Sequence, residues 1–333
     1  MKRQLVHTYQ DVISLENLCS AWQQFIFEKK TKIDVLKFER NLMDNIVELH
    51  TDLVNRTYCH GRYESFFIND PKRRHIHKAS VRDRLLHHAV YRILYPFFDR
   101  TFIADSFSCR VDKGMHRAIN RFREFGFQVS KNHTRTCWVL KCDIKQFFAS
   151  VDQGILMQIL VQYIPDVDIL NLLTNILDSF STEGNPHTGL PLGNLTSQLL
   201  ANIYMNQFDQ WVKHTLQAKY YARYADDFVF FSHDRQSLVE LIPKVRDYLV
   251  ETLNLTLHPK KIFLNSVASG MDFLGWVHFP DHRVLRNTTK RRMLRRIKDH
   301  PTDETLQSYL GLLSHGNTSN LQEEATILHW LFQ

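Results

Sequence analysis

The 333-residue chain has five cysteines, Cys19, Cys59, Cys109, Cys137 and Cys142, scattered along it with no C-x-x-C pair. That argues against a disulfide framework or a zinc knuckle and suits a reducing compartment. Cys and His pairs at finger-like spacing are missing too. His75-x-His77 and His87-His88, among 18 histidines in all, therefore do not read as a structural metal site. No apolar run approaches the roughly 18–20 residues that span a bilayer. The basic start MKRQLVHTYQDV leads into no apolar segment of a secretory signal. No internal repeat or low-complexity stretch stands out. The expectation is a globular, cytoplasmic protein with no membrane segment.

What is present is a chain long enough for one large domain or two to three smaller ones, with an ordinary 44% hydrophobic content. A net charge of +7 and a pI near 9.1 favour a polyanionic partner. Residues 1–58 read as mostly helical: Leu15, Leu18, Trp22, Phe25 and Ile26, then Phe38, Leu42, Ile46 and Leu49, recur at helical spacing around the basic link Lys29-Lys30-Thr31-Lys32. Tyr63 and Phe66-Phe67-Ile68, the turn Asn69-Asp70-Pro71 and the run Lys72–His77 suggest a hairpin with a basic second limb. That limb is either a solvated sheet edge or a triphosphate clamp. A helix follows over Val81–Phe98, where Asp83 between Arg82 and Arg84 would pair some of the charge.

Further on, a helix is expected over Met115–Phe125, a polar loop over 126–136 and helices over 152–180. The loop GNPHTGLPLGN (184–194) feeds a helix starting near Leu195, with Asn194 as its cap. Leu238–Leu253 is an amphipathic helix, and 255–264 and 271–277 look like short strands around turns. From Arg283 to Lys298 there are eight Lys or Arg residues. Met293, Leu294 and Ile297 give that helix an apolar face, leaving Arg291, Arg292, Arg295 and Lys298 for solvent or for phosphates. The tail from Thr305 reads as two short helices joined at Gly316-Asn317.

The stretch around which the chain is organised is Tyr220–Ser232, YYARYADDFVFFS. Tyr220–Tyr224 and Phe228–Phe231 read as two strands, with Ala225-Asp226-Asp227 at the tight connection. The flanks are too apolar for a solvated turn. Such a hairpin belongs in a core, where paired carboxylates need a divalent cation to offset their charge. The largely apolar strand Cys137–Asp143 ends in an aspartate that is either a helix cap or a metal ligand; the Asp226-Asp227 pair on a neighbouring strand tips it toward the ligand. Three carboxylates so placed suit two metal ions about 3.5–4 Å apart and the chemistry of nucleotidyl transfer.

With these residues the sequence resembles reverse transcriptases over nearly its whole length. Tyr224-Ala225-Asp226-Asp227 resembles the family's Y-x-D-D box, and Asp143 with Phe148 its first catalytic box. Gly189–Gln198 resembles the template- and nucleotide-contacting loop and helix, Leu257–Lys261 the lysine-bearing box, and Phe273-Leu274-Gly275-Trp276 the primer grip. Arg74-His75-Ile76 with Val81–Arg84 resembles the fingers of the group II intron-like bacterial branch. Most members place glutamine before the glycine of the loop and end it in Ser-Pro. Here Leu192-Gly193 and Ser197-Gln198 stand instead, a pattern that looks like the reverse transcriptases of diversity-generating retroelements. The compact length, without room for an endonuclease or maturase domain, agrees.

The resemblance implies an α+β right-hand polymerase, fingers, palm and thumb, with a central antiparallel palm sheet flanked by helices. The expected division is an N-terminal helical extension at 1–58, fingers at 59–136, palm at 137–282 and a helical thumb at 283–333. It implies RNA-directed DNA synthesis from dNTPs on a template RNA and a primer, with two Mg²⁺ ions (Mn²⁺ as substitute) held by Asp143, Ile144, Asp226 and Asp227. Lys261 would protonate the leaving pyrophosphate, with Lys260 as competitor. Lys72 and Arg74 would clamp the triphosphate. Phe148 would stack under the incoming sugar, and Leu192, Gly193 and Gln198 would meet the nucleotide. Arg291, Arg292, Arg295 and Lys298 would grip the duplex backbone. A diversity-generating enzyme is further expected to copy its template with errors opposite adenines and to need a small basic helical accessory protein. The alternatives are a related bacterial reverse transcriptase of a phage-defence system and a catalytically silent RNA-binding scaffold.

Overall fold

A computed structural model of the chain describes residues 3–27, 29–69 and 72–333. The N-terminal part runs α1 (Tyr9–Ile13), α2 (Leu15–Phe25), α3 (Ile33–Glu39), α4 (Leu42–Val54), β1 (Glu64–Ile68), β2 (Arg74–Lys78), α5 (Val81–Asp99) and α6 (Met115–Val129). Next come β3 (Trp138–Asp143), α7 (Phe147–Ser150), α8 (Gln153–Val161), α9 (Val167–Asp178), α10 (Leu195–His214), β4 (Tyr221–Tyr224), β5 (Asp227–Ser232) and α11 (Arg235–Leu253). The chain ends with β6 (Phe263–Ser266), β7 (Met271–Phe273), β8 (Trp276–His278), β9 (Arg283–Leu285), α12 (Asn287–Asp299), α13 (Asp303–Leu313) and α14 (Ser319–Phe332). Among the described residues, no helix is long and apolar enough to cross a membrane.

The chain forms two compact units, each assembled from three separate segments. The first comprises Met1–Ile103, Ile144–Thr215 and Arg246–Thr256. Its N-terminal helices are four rather than the expected two, because polar side chains end each run early. Ser14 accepts the Asn17 N–H at 3.2 Å and starts α2, and Asn45 donates to the Phe38 carbonyl at 2.8 Å where α3 stops. Helix α5 is capped by Ser80, whose Oγ accepts from the Asp83 N–H at 3.1 Å. The expected pairing within Arg82-Asp83-Arg84 does not occur, since successive helical residues face different directions. Arg82 pairs with Asp52 and Arg84 with Asp34 at 2.6 Å, while the buried Asp83 accepts from the Tyr58 and Ser80 hydroxyls at 2.8 and 2.6 Å.

The hairpin β1–β2 forms with Phe66 opposite Ile76 and Ile68 opposite Arg74; Asp70 and Pro71 of the expected turn lie outside the described residues. Strand β2 is tied to the loop before α10. The His77 N–H donates to the Leu192 carbonyl at 2.9 Å, and Asn194 Nδ2 donates to the His77 carbonyl at 2.8 Å. Asn194 Oδ1 accepts from the Ala79 N–H at 3.3 Å. Asn194 therefore makes no side-chain cap on α10: its amide is engaged by β2 instead. Gly193 makes the approach possible, with φ +107° and an ideal Cβ position 2.9 Å from Ile76 Cγ2.

The second unit comprises Ala104–Asp143, Leu216–Val245 and Leu257–Gln333. Its main sheet is antiparallel with strand order β4-β5-β3-β6. Helix α6 covers this sheet with Phe122 and Phe125, both edge-on to Phe231 at centroid distances of 4.8 and 5.7 Å. The expected loop at 126–136 begins four residues later than foreseen, because buried Gly126 and Val129 continue the Ala118, Phe122, Phe125 stripe. Each such buried aromatic contributes about 1.5–3 kcal/mol of apolar transfer. A second sheet, β7-β8-β9, includes a three-residue strand at Arg283–Leu285, at the head of the basic stretch and just before the helix α12. So short a strand has no periodicity to detect. Behind it α12, α13 and α14 pack Met293, Ile297, Leu313 and Ala325 around Trp276.

The Gly193→Ala variant is expected to lose about 1–3 kcal/mol, as an L-residue is forced to positive φ against β2. Thermal unfolding checks this, and an unchanged Tm would show that the loop and β2 separate without cost.

Candidate active site

The Asp-Asp hairpin forms, with Asp227 drawn out of the expected three-residue connection to become the first residue of β5. Tyr224 and Asp227 face each other across a two-residue connection, Ala225-Asp226, with Ala225 at φ +55°. An alanine there is strained relative to glycine, so the tip must be held from outside. Arg223 does this. It is 1% exposed, its Nη1 donates to the Ala225 carbonyl at 3.1 Å and its Nη2 to Ser106 Oγ at 3.1 Å. Its backbone N–H donates to the Asp105 carbonyl at 2.9 Å, locking β4 to the 105–107 segment. Sequence reasoning passed over Arg223, although a charged residue inside an apolar strand was the signal for it.

Asp143, the last residue of β3 and buried, lies directly opposite Asp227, the first of β5. The sheet register thus brings two carboxylates to one end, and the hairpin tip adds Asp226. Burial, then the charges of Asp227 and Asp143, pushes the Asp226 carboxyl up to about 6. Lysines supply the countercharge: Lys261 Nζ donates to Asp143 Oδ1 at 2.7 Å, and Lys141 Nζ lies 3.8 Å from Asp227 Oδ1. Lys141 also donates to the Asp272 carbonyl at 3.1 Å. It was missed in the sequence, yet it sits two positions before Asp143 on a strand and so shares its face. Lys260, the competitor to Lys261, is exposed, and its backbone N–H is held by His258 Nδ1 at 3.2 Å.

Among the described residues no three His, Cys, Asp or Glu side chains are already gathered as a cation-binding group. The donor set nevertheless fits a hard divalent cation: carboxylate oxygens from Asp143, Asp226 and Asp227, with Ile144 able to add only its backbone carbonyl. The Asp226 carboxyl is raised first by burial and then by the charges of Asp227 and Asp143, while Lys261 acts the other way.

The expected nucleotide-contacting residues lie in the first unit. Leu192 and Gly193 are bonded to β2 as described, Phe148 accepts the Leu190 N–H through its carbonyl at 2.7 Å, and Gln198 is half-buried on the first turn of α10. Arg74 opens β2, and both it and Lys72 are exposed. Arg73, the neighbour between them, lies over the Phe67 ring at 4.2 Å.

In the second unit the expected primer grip is divided. Phe273 and Trp276 face each other across the β7–β8 turn and are fully buried in separate clusters, leaving Leu274 and Gly275 at the tip with φ +52° and +84°. Those two aromatic rings are part of the core. On α12, Arg291, Arg295 and Lys298 are exposed and Arg292 is half-buried, with Lys298 Nζ 4.8 Å from the Phe332 ring.

Residues 69–278 match the family described as reverse transcriptase (RNA-dependent DNA polymerase). The chain belongs to the reverse transcriptase family. It is 26% identical to protein YkfC of Escherichia coli (strain K12) over 262 residues, 68% of this chain and 66% of YkfC. It is 27% identical to the group II intron-encoded protein LtrA of Lactococcus lactis subsp. cremoris over 227 residues, 66% of this chain and 34% of LtrA. The retron Ec83 reverse transcriptase of Escherichia coli is 25% identical over 202 residues, 58% of this chain and 62% of that protein. The matches span less than two thirds of each relative's own length. Among solved structures, apo telomerase from Candida Tropicalis truncated from its C-terminal domain aligns with a TM-score of 0.50 at 12% identity. That alignment covers 67% of this chain and 54% of the telomerase chain. The fold of this reverse transcriptase is the mixed helix and antiparallel-sheet fold of right-hand polymerases.

Two outcomes are expected. A carboxyl whose folded value is raised to about 6 costs stability as pH rises from its unfolded value near 3.8 through 6. In the metal-free protein Asp226→Asn should therefore raise stability at pH 7 by about 1–2 kcal/mol, once screening at this half-buried site is allowed for. The gain should vanish near pH 4; melts in EDTA across that range measure it, and a pH-independent gain would refute the charge explanation. Arg223→Gln should lower Tm by several degrees and reduce primer extension more than tenfold, since the Ala225 carbonyl loses its donor. Full activity in that variant would show that the tip needs no such support.

Proposed function

We propose that this reverse transcriptase is an active RNA-directed DNA polymerase and, more finely, the error-prone enzyme of a diversity-generating retroelement. The polymerase reading is carried by the convergence of Asp143, Asp226, Asp227 and Lys261 at one end of a single sheet. Mg²⁺ ions held by the three aspartates and the Ile144 carbonyl would activate a primer 3′-hydroxyl and neutralise the triphosphate. The chain's own groups do the rest. Lys261 Nζ, already directed at the carboxylates, gives a proton to the leaving pyrophosphate, a place Lys260 does not have. Arg223 holds the Ala225 carbonyl at the hairpin tip and so limits how far Asp226 and Asp227 must move when substrate arrives. Phe148 stacks under the incoming sugar and disfavours a 2′-hydroxyl. Template RNA, a primer and dNTPs are the substrates, and Arg291, Arg295 and Lys298 contact backbone phosphates with salt-sensitive strength.

The diversity-generating reading is supported by the Leu192-Gly193 and Ser197-Gln198 loop. A leucine offers no hydrogen bond to a base pair, and weaker polar contacts loosen selection. In the diversity-generating enzymes that this loop resembles, such looseness takes the form of errors opposite template adenines, and a small basic helical accessory protein is expected to hold the template. A second reading, a retron- or intron-like enzyme of ordinary accuracy, is favoured by the likeness to the retron Ec83 and LtrA proteins.

Primer extension on a defined RNA with dNTPs and Mg²⁺, with products sequenced, tests both levels. Wild type should give metal-dependent product that the Asp226→Ala, Asp227→Ala double variant lacks. Errors should cluster at adenines and fall several-fold in Leu192→Gln. Accurate wild-type product would remove the diversity-generating role and keep the polymerase. No product, with or without a basic helical accessory protein, would overturn the polymerase.

A further inference from the structure

Apart from the carboxylates, the second unit contains a cavity of about 230 Å³ lined by Arg123, His278, His282, Arg283 and His315, with the α13–α14 turn as one wall. That wall depends on glycine: a Cβ on Gly316 would lie 2.0 Å from Trp276 Cζ3. The Arg283 guanidinium lies 5.8 Å from the same ring, and its Nε donates to the His315 carbonyl. A backbone bond from the Asn317 N–H to the Arg283 carbonyl at 3.0 Å, and one from the Arg283 N–H to the Asn317 side-chain Oδ1 at 3.3 Å, fix the turn against β9.

The cavity is built and cationic, and its polar atoms are not all satisfied. Arg283 Nη1 and His278 Nε2 are buried without a protein partner, and His278 is only 2% exposed. His116, stacked on His315 at 3.6 Å, also has a buried Nδ1 with no partner. Burial and the Arg123 charge hold the Arg283 guanidinium below its ordinary value. Burial, followed by Arg283, pushes His278 down to about 3. Among the described residues no carboxylate lines this space; Asp281 beside it is bonded to His282 Nδ1 at 2.7 Å. Two guanidiniums facing one pocket repel, and a buried donor left unmatched costs about 1–3 kcal/mol. An oxyanion removes both costs, because a guanidinium fork matches phosphate geometry.

We propose that this cavity binds a phosphate group, either of a free nucleotide or of a nucleic-acid backbone. The proposal stands independently of the polymerase reading, since it uses none of the carboxylate residues. Inorganic phosphate titrated into the full chain in EDTA, followed by ³¹P line broadening, should bind saturably. Arg123→Glu, an exposed substitution that leaves the core intact, should weaken binding at least tenfold, and Arg283→Lys should weaken it while keeping the charge. Lys37→Glu, the same charge change on exposed α3, should leave binding unaltered. Displacement of phosphate by a short RNA without terminal phosphates assigns the site to a backbone; displacement by a nucleoside monophosphate alone assigns it to a free nucleotide. Unsaturable binding, or equal loss in Lys37→Glu and Arg123→Glu, overturns the proposal. Primer extension on the same samples separates this result from the fate of the polymerase reading.

Discussion

Negative charge gathered at the end of the β4-β5-β3-β6 sheet is the constraint to which the rest of the second unit answers. Antiparallel pairing puts Asp143 opposite Asp227, and the hairpin adds Asp226, so three carboxylates share a half-buried corner. Carboxylates taken from water cost free energy unless they are matched. The fold matches them with Lys261, Lys141 and a backbone strained at Ala225 and held by Arg223. Each of these would be hard to explain as packing. Together they describe a site whose electrostatics are arranged before any ligand is present.

The arrangement also explains why the same carboxylate can destabilise and serve. Asp226 carries a raised carboxyl because it is withdrawn from water beside Asp227 and Asp143. Sites for chemistry often carry such unbalanced groups, with stability supplied elsewhere. Here the supply is apolar: Phe228, Phe230 and Tyr221 are buried along the hairpin behind the acidic tip, and α6 covers the sheet with Phe122 and Phe125.

Much of this was legible in the residues. The Asp-Asp hairpin, the strand ending in Asp143 and the helices with regular apolar stripes are local patterns, and local patterns survive folding. What escaped were contacts that depend on tertiary placement. Arg223 and Lys141 stood out as charges in apolar strands, but only the sheet gave them partners. Asn194 had the sequence position of a cap, but β2 came close enough to claim its amide. For Phe273 and Trp276 the motif did not tell which of its residues would be buried, and the hairpin puts both rings in the core. Strand β9 was too short to announce itself, and it brings Arg283 to its cavity.

The ties between β2 and the loop before α10 have a mechanical consequence. Hydrogen bonds from His77, Ala79 and Asn194, with Gly193 seated on Ile76, join the basic hairpin limb and the Leu192 loop into one piece. A displacement of one is a displacement of the other. Cations on the hairpin and the side chain at 192 therefore reach any shared ligand with fixed spacing, and a substitution that shifts β2 re-aims Leu192 without touching it.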